Sequence, residues 1–294
     1  MFQIKAFNNY SIKKIEKGWS TDEKYLIENQ KEKLLIRLSD IREYEQKRYE
    51  FEILKKLELL DVPTSRAIDF GIDDKNNKVW MALSWIEGDD LINHMNKFSK
   101  EKQYKLGLEA GKILKTIHKL EIDEPPDCWE RTFNKKINDN LQSYKAHNVE
   151  IPGGEAFIEY IANNRHLVSG RNQCFHHGDY HIGNMLWTTD KKIAIIDINR
   201  LDTGDPWKEL GRITFCKDES PKFAIGRLDG YFEGSIPENF WRLLALYISS
   251  NALEFIVWAL DYSKSSLPFM MEQAIGILKD YENMKKIVPA WYQT

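Results

Sequence analysis

The chain has 294 residues, 42% of them hydrophobic and 12% aromatic, which suffices for the core of one large domain or two small ones. Its 42 basic and 45 acidic residues nearly cancel to a formal net charge of -3, so the composition gives no electrostatic reason to expect nucleic acid or a membrane surface as a partner. The three cysteines stand far apart and form no CxxC pair, and the first ten residues lack the apolar core of a signal peptide, so we expect a reduced, cytoplasmic protein.

The first part of the chain predicts a small antiparallel sheet with one helix. Four runs have the pattern of strands, and they are KYLIE (24–28), KLLIRL (33–38), AIDFGI (67–72) and KVWMALSWI (78–86). Between the second and third runs, apolar side chains recur at helical spacing over 40–60, with Asp40 as a candidate N-cap. We therefore expect a sheet-rich N-terminal lobe over 1–87.

After a break at EGDDL the pattern becomes mostly helical. Apolar residues at helical spacing predict helices at 100–120, 130–147, 155–168, 238–260 and 269–286. The most apolar run, 243–260, includes Asn251 and Glu254, so we expect a buried helix and not a membrane span. One hairpin, 185–189 with 193–198, interrupts the helices. The predicted fold class is α+β with a larger helical lobe over 88–294, and a cleft between two lobes is a favoured place for a ligand.

The stretch HHGDYHIGNM (176–185) places three histidines, an aspartate and an asparagine within ten residues. One interpretation is a polar turn, because Gly, Asp and Asn tolerate unusual backbone angles. A second is a zinc site, since His177 and His181 are four residues apart and would share one face of a helix. Gly178 and Gly183 argue against a helix here, and no glutamate follows His177 as it does in HExxH.

The third interpretation is a phosphoryl-transfer site. Asp179, Asn184 and Asp197 offer two carboxylates and an amide oxygen, the hard ligands that suit Mg²⁺ when substrate phosphates complete its coordination. The spacing Asp-x4-Asn is that of the protein-kinase catalytic loop. Kinase chemistry uses one aspartate to take the hydroxyl proton, and an asparagine and a second aspartate to hold the metal.

These motifs resemble those of a known superfamily. HGDYHIGNMLW followed by IAIIDIN is similar to the signature of the aminoglycoside phosphotransferase and choline kinase-like superfamily, HGD-x-H-x-x-N and then an aspartate after a hydrophobic strand. The resemblance covers nearly the whole chain and implies a two-lobed protein-kinase-like fold. It implies that Asp179 is the catalytic base or hydroxyl-orienting group and that Asn184 and Asp197 hold Mg²⁺.

The same resemblance implies supporting residues for the loop. His177 would be a structural member of the loop, and His181 would help to shape it. The segment GDPWKEL (204–210) resembles the part of the family that follows the metal aspartate. It implies a supporting role for Asp205, with substrate contact as the alternative.

The resemblance also implies a phosphate-binding region in the N-terminal lobe. KGWSTDEKYLIE stands where the family has its phosphate-covering hairpin, and it lacks GxGxxG. Backbone N–H groups of Trp19, Ser20 and Thr21 would bind phosphates there. In LLIR (34–37), Arg37 replaces the usual lysine that pairs with the α- and β-phosphates, and its bulkier fork puts the phosphate geometry in question. Its predicted ion-pair partner is Glu50, with rivals at Glu43, Glu45 and Glu52.

The expected adenine site follows from the same comparison. Leu35 alternates onto the same face as Arg37, where it would cover the adenine. LSWIEG (83–88) resembles the hinge between the lobes. The resemblance implies Leu83 as gatekeeper, with Ser84 C=O and Ile86 N–H meeting the purine.

We therefore expect a Mg²⁺-dependent kinase that moves the γ-phosphoryl group of ATP or GTP to a hydroxyl of a small molecule, with cationic molecules among the candidates. The family label suggests an aminoglycoside, but the helical lobe is not conspicuously acidic. A metabolic kinase of choline, homoserine or a sugar derivative is the alternative. A nucleotide-binding pseudokinase scaffold has only Arg37 in its favour. A protein kinase is disfavoured because no APE element and no long activation segment follow Asp197.

Overall fold

The computed structural model confirms the predicted α+β class, with an antiparallel sheet in the N-terminal part and helices in the C-terminal part. The structure describes residues 7–16, 22–122, 127–198 and 200–293. Two compact units divide the chain, unit 1 with Met1–Leu91 and Asn184–Leu201, and unit 2 with Ile92–Gly183 and Asp202–Thr294.

Unit 1 is built on a five-stranded antiparallel sheet in the order β1-β2-β3-β5-β4. The strands are β1 (Ser11–Ile15), β2 (Glu23–Glu28), β3 (Lys33–Asp40), β4 (Ala67–Asp73) and β5 (Lys78–Ser84). The four strands predicted from the sequence are all present. Strand β1 was not predicted, because its sequence SIKKI lies at the sheet edge and is almost wholly exposed, so it lacks a buried apolar face.

The two faces of this sheet have different chemistry. One face carries an apolar core formed by Phe7, Ile27, Leu34, Ile36, Leu38, Trp80 and Ala82. The alternate residues of β3, which include Leu35 and Arg37, point to the opposite face. Helix α1 (Tyr44–Leu59) follows β3 through a 3-10 turn over Ile41–Glu43. Asp40 caps that turn by accepting a hydrogen bond from Arg42 N at 2.9 Å, so the helix proper begins later than the sequence predicted.

A second, three-stranded sheet completes unit 1. It has the order β6-β8-β9, with β6 (Gly88–Asp90), β8 (Met185–Thr188) and β9 (Ile193–Ile195). The backbone N–H of Ile195 donates to Pro63 O at 2.7 Å, and the Thr64 hydroxyl donates to Ile195 O at 2.8 Å. These pairings join the 185–195 hairpin to the N-terminal residues, whereas the sequence analysis had placed it in the lobe over 88–294.

Unit 2 contains eight helices among its described residues. They are α2 (Lys100–Ile117), α3 (Trp129–Ala146), α4 (Glu155–Asn164), α5 (Pro206–Glu209), α6 (Ile213–Glu219), α7 (Pro221–Phe232), α8 (Glu238–Tyr262) and α9 (Leu267–Asp280). Two short strands, β7 (Cys174–His176) and β10 (Asp202–Gly204), pair antiparallel. The five helices predicted from periodicity are present. Helices α5 to α7 were not predicted, because prolines and glycines divide that region into pieces too short to show a clear period.

Helices α2 and α7 pack with their backbones in close approach. A Cβ atom added at Gly107, Gly111, Gly226 or Gly230 would lie only 2.2 Å from a backbone carbonyl oxygen of the other helix. Real side chains do not tolerate such a distance, so these positions require glycine. The pair forms a tight platform within unit 2.

Helix α8 is, among the described residues, the one helix long and apolar enough to cross a membrane by length and composition. Of its most apolar 18-residue window, 72% is buried inside the protein. Burial of this kind favours the predicted interpretation as a core helix.

Candidate active site

The loop after β7 is fixed by hydrogen bonds to its own backbone. The His177 side chain is fully buried, and its Nδ1 accepts the backbone N–H of Asp179 at 3.2 Å. Between them Gly178 has φ +85°, in the left-handed region that glycine adopts without strain. The carboxylate of Glu209 accepts the N–H of His177 at 3.0 Å and that of Gly178. The backbone that presents Asp179 is therefore held at three successive N–H groups.

Glu209 is itself a buried anion. Burial alone would raise the pKa of this carboxyl, but a hydrogen bond from His118 Nε2 at 3.0 Å and the nearby imidazole of His176 outweigh it and hold the pKa well below its usual range. Because a carboxylate can only accept, Nε2 of His118 donates to Glu209, and its Nδ1 lies within hydrogen-bond distance of the Tyr231 hydroxyl, at 2.8 Å. Glu209 was not predicted as a site residue, although it lies inside GDPWKEL.

The carboxylate of Asp179 has two basic neighbours. Its Oδ1 lies 3.5 Å from His181 Nε2 and 3.6 Å from Arg212 Nε. The ring of His181 is oriented by the backbone N–H of Gly183, which donates to Nδ1 at 3.0 Å. Arg212 in turn lies 4.8 Å above the ring of Phe255. The Asp179 side chain is 18% exposed, so its carboxylate is partly open to solvent.

The next loop residue, Tyr180, anchors the loop to the helical platform. Its hydroxyl donates to Ala110 O of α2 at 2.7 Å, and its ring is fully buried. The guanidinium of Arg227, on α7, lies 4.8 Å from the centre of that ring. Arg227 also donates to Glu209 O at 3.4 Å. The close pair α2 and α7 thus supports the segment that carries Asp179.

Asp205 lies at the start of α5 and is fully buried. Its carboxylate accepts from Arg171, from Trp207 N at 2.8 Å and from the Tyr247 hydroxyl at 2.7 Å. Its backbone carbonyl accepts from His176 Nε2 at 2.9 Å, next to the loop. All these partners belong to unit 2, and together they surround the carboxylate on the inside of the protein.

Asn184 and Asp197 lie in unit 1, at the same end of the hairpin β8–β9. Met185 and Ile195 form the first residue pair between the two strands, next to Asn184 and close to Asp197 in the sequence. The backbone N–H of Ile196 donates to Asn184 O at 3.1 Å. Asp197 has φ +62°, a left-handed conformation that costs on the order of 1 kcal/mol for a residue with a side chain. Strain of this kind is frequent at functional sites.

The oxygen atoms of Asn184 and Asp197 fit a magnesium ion. Mg²⁺ is held by one or two protein carboxylates and keeps its other positions for water and substrate phosphates. Lys24 Nζ lies 3.7 Å from Asp197 Oδ1, so positive charge is already accommodated beside this carboxylate. Within the described residues, no three His, Cys, Asp or Glu side chains are grouped to hold a metal ion.

Arg37 belongs to a buried ionic network on the sheet face opposite the apolar core. Its guanidinium donates to Asp22 and to Glu50 of α1, both with side chains only 1% exposed. Lys47 Nζ and the Ser39 hydroxyl also donate to Asp22, at 2.9 and 2.8 Å. Of the four glutamates considered in the sequence analysis, it is Glu50 that contacts Arg37. Asp22 and Lys47 were not anticipated.

Charges in this network shift one another's protonation. Burial alone would raise the pKa of Asp22, but Arg37 and Lys47 lower it to about 2. Burial would lower the pKa of Arg37, and the carboxylates of Glu50 and Asp22 reverse this and raise it. The two cations, Arg37 and Lys47, therefore balance the two carboxylates, Asp22 and Glu50.

The other residues predicted to contact the nucleotide lie on β3, on β5 and just after β5. Leu35 stands directly opposite Leu83 in the register, and Leu83 is buried while Leu35 is half-buried. The hydroxyl of Ser84 accepts Arg66 N at 2.8 Å, and Ile86 is half-buried just after the strand. Three further predicted contacts lie outside the described residues, and these are Trp19, Ser20 and Thr21.

Comparison with known proteins identifies the class to which this fold and loop belong. The profile of the phosphotransferase enzyme family matches residues 11–244, which is most of the chain. The chain belongs to this family. It is a phosphotransferase, as the sequence predicted.

Solved structures of low sequence identity share the fold. A thermostable mutant of the aminoglycoside phosphotransferase APH(4)-Ia, in ternary complex with AMP-PNP and hygromycin B, is 14% identical with a TM-score of 0.68, over 95% of this chain and 96% of that one. Spectinomycin phosphotransferase APH(9)-Ia, in complex with ADP and spectinomycin, is 14% identical with a TM-score of 0.61, over 96% and 93%. The gentamicin complex of APH(2")-IIa is 14% identical with a TM-score of 0.58, over 86% and 87%. These likenesses confirm the predicted kinase-like fold. No curated protein sequence matches the chain.

Proposed function

We propose that the chain transfers the γ-phosphoryl group of ATP or GTP to a hydroxyl group of a small molecule, in a reaction that needs Mg²⁺. The observation that carries the proposal is the fixed backbone around Asp179, held by His177 and Glu209, in a loop followed directly by the hairpin of Asn184 and Asp197. The structural neighbours crystallised with ADP or AMP-PNP support a nucleotide as donor.

In the proposed reaction, the acceptor oxygen forms a bond to the γ-phosphorus, and the bond from that phosphorus to the β–γ bridging oxygen breaks. Asp179 takes the proton of the attacking hydroxyl, and the nucleoside diphosphate leaves. Asn184 and Asp197 would hold Mg²⁺, which when bound neutralises charge on the phosphate oxygens. Leu35 and Leu83 would cover the base, and the backbone of the 83–88 hinge would meet its polar edge.

The nature of the acceptor is a proposal with two candidates. An aminoglycoside is suggested by the structural neighbours, which were crystallised with hygromycin B, spectinomycin or gentamicin. A metabolite with an anionic group, such as homoserine, is favoured by the guanidinium of Arg212 beside Asp179. Arg212 lies 3.6 Å from Asp179.

The test is Mg²⁺-dependent consumption of ATP and GTP by the purified chain, with aminoglycosides, choline, homoserine and sugars as acceptors. Asp179→Asn keeps the shape of the side chain and removes its basicity, so we expect transfer to fall by about 10² to 10⁴ while nucleotide binding persists. Asp190→Asn, at an exposed turn of the hairpin, is the matched control and should keep full activity. Nucleotide binding without transfer to any acceptor, and without background hydrolysis, would favour the scaffold alternative.

A further inference from the structure

The position of Lys24 suggests a role that the sequence assigned to another residue. Arg37 was expected to contact the phosphates of the donor, in place of the usual lysine. Its side chain is only 6% exposed, and three of its nitrogen atoms donate to the carboxylates of Asp22 and Glu50. A guanidinium clamped between two buried carboxylates is already neutralised, and it is poorly placed to serve a further anion.

Lys24 stands directly opposite Arg37 in the antiparallel pair β2–β3. Directly opposed residues in such a pair point to the same face of the sheet. The Lys24 side chain therefore rises from the same face as Arg37, but its ammonium group has a different partner. Its Nζ lies 3.7 Å from Oδ1 of Asp197, whose side chain is 39% exposed.

This distance bears on whether the ammonium group of Lys24 can donate hydrogen bonds to a phosphate. A charge-assisted hydrogen bond between nitrogen and a carboxylate has a length of about 2.7 to 2.9 Å, so at 3.7 Å Lys24 attracts Asp197 without being hydrogen-bonded to it. A lysine ammonium carries three donors on a flexible stem and is a frequent ligand of phosphate oxygens. Lys24 thus combines positive charge and nearness to the predicted metal aspartate.

We propose that Lys24, and not Arg37, is the residue that binds the phosphate groups of the nucleotide donor. Arg37 is then a positioning residue that links β3 to α1 through Glu50 and to the start of β2 through Asp22. The inference rests on the proposed function, since it assumes a nucleotide donor. It adds to the proposed function that binding of the donor phosphates depends on Lys24.

The experiment compares binding of ATP, ADP and adenosine in the presence of Mg²⁺ by titration calorimetry. If the wild type prefers GTP, the ligands are GTP, GDP and guanosine. We expect Lys24→Met to weaken ATP and ADP binding by about 10- to 100-fold, as loss of a hydrogen bond to a charged group predicts, and to leave adenosine binding unchanged. Lys24→Arg should restore part of the loss. Lys13→Met, on the exposed face of neighbouring β1, is the matched control and should bind as the wild type does.

Thermal melting separates binding from folding. Lys24→Met should melt close to the wild type, and Lys24→Gln is the second variant if methionine lowers the melting temperature. Arg37→Met should melt much lower, because it leaves Asp22 and Glu50 buried with one cation fewer. Unchanged ATP and ADP binding in folded Lys24→Met, or an equal loss for adenosine, would overturn the inference alone. A wild type that binds no nucleotide would overturn the proposed function with it.

Discussion

The carboxylate of Glu209 accepts the backbone N–H of His177 at 3.0 Å, across 32 residues of sequence. The same carboxylate accepts from Gly178 and from His118, so it needs both oxygen atoms and its negative charge. We expect Glu209→Gln to lower the free energy of unfolding by about 1 to 3 kcal/mol, because the amide group brings donors where acceptors are needed. Activity should fall through kcat, with little change in the KM for the nucleotide, because the change displaces the loop of Asp179.

Urea unfolding and steady-state kinetics check this prediction. Glu219→Gln, at an exposed position nearby in the sequence, is the matched control and should change neither quantity. A Glu209→Gln variant with normal stability and normal kcat would show that the loop does not depend on this carboxylate.

The pKa of Asp22, lowered to about 2, predicts a specific dependence of stability on pH. An aspartate in the unfolded chain titrates near 4, so the stabilising effect of its charge is fully present above that pH and is lost as the pH falls through about 2. We expect the difference in unfolding free energy between the wild type and Asp22→Asn to be on the order of 2 kcal/mol at neutral pH. Denaturant unfolding of both proteins at a series of pH values should show this difference shrinking below about pH 4. A difference independent of pH would mean that the charge of Asp22 contributes nothing.

Two glycine-to-alanine changes, one in the contact between α2 and α7 and one in α9, should have opposite effects on stability. In Gly226→Ala the new methyl group would lie 2.2 Å from Tyr104 O, so the helices must separate, at a cost of about 1 to 3 kcal/mol or more. At Gly276 in α9 the nearest atom is Lys217 Nζ at 3.7 Å, an ordinary contact. Gly276→Ala should therefore stabilise the protein by about 0.5 to 1 kcal/mol, because alanine favours the helix. Calorimetric melting of the two variants tests both signs at once, and a neutral Gly226→Ala would contradict the close packing.

Arg212 offers a way to distinguish the two acceptor candidates. If the acceptor carries an anionic group, Arg212→Gln should raise the KM for the acceptor by about tenfold or more and leave the KM for the nucleotide unchanged. If the acceptor is a polycation, the same change should leave acceptor binding unchanged or improve it, because it removes a like charge. Kinetics with the best acceptor of the panel make the comparison, with Arg131→Gln, which lies on α3 with an exposed side chain, as control.

The sequence predicted the elements whose pattern is local. Alternation in β2 to β5 and helical spacing in α2 and α8 were visible because each element has a buried face over several residues. The spacing of Asp179 and Asn184 could likewise be read directly. Strands β7 and β10 have three residues each, too few to show a period, and they escaped prediction.

Partners that meet across long stretches of sequence were not predictable in the same way. Alternation places Arg37 on a face of the sheet, but it does not say which carboxylates approach that face from outside the strand. Glu50 was one of four candidate glutamates, three on α1 and one in the 3-10 turn before it, and only the position of each around the helix axis distinguishes them. Asp22 and Lys24 lie beside a segment without a recognisable glycine motif, so nothing local separated them from ordinary surface charges.

The anchor of Tyr180 has a consequence for how this protein tolerates mutation. Its hydroxyl donates to the main-chain oxygen of Ala110, an acceptor that every amino acid supplies. No substitution in α2 can delete that acceptor, although a bulky side chain could displace it. A deep mutational scan should therefore show an asymmetric pair, with Tyr180 sensitive to loss of its hydroxyl and residue 110 sensitive only to size. Tyr180 and residue 110 should therefore not co-vary in sequence, even though the main chain at residue 110 holds the Tyr180 side chain in place.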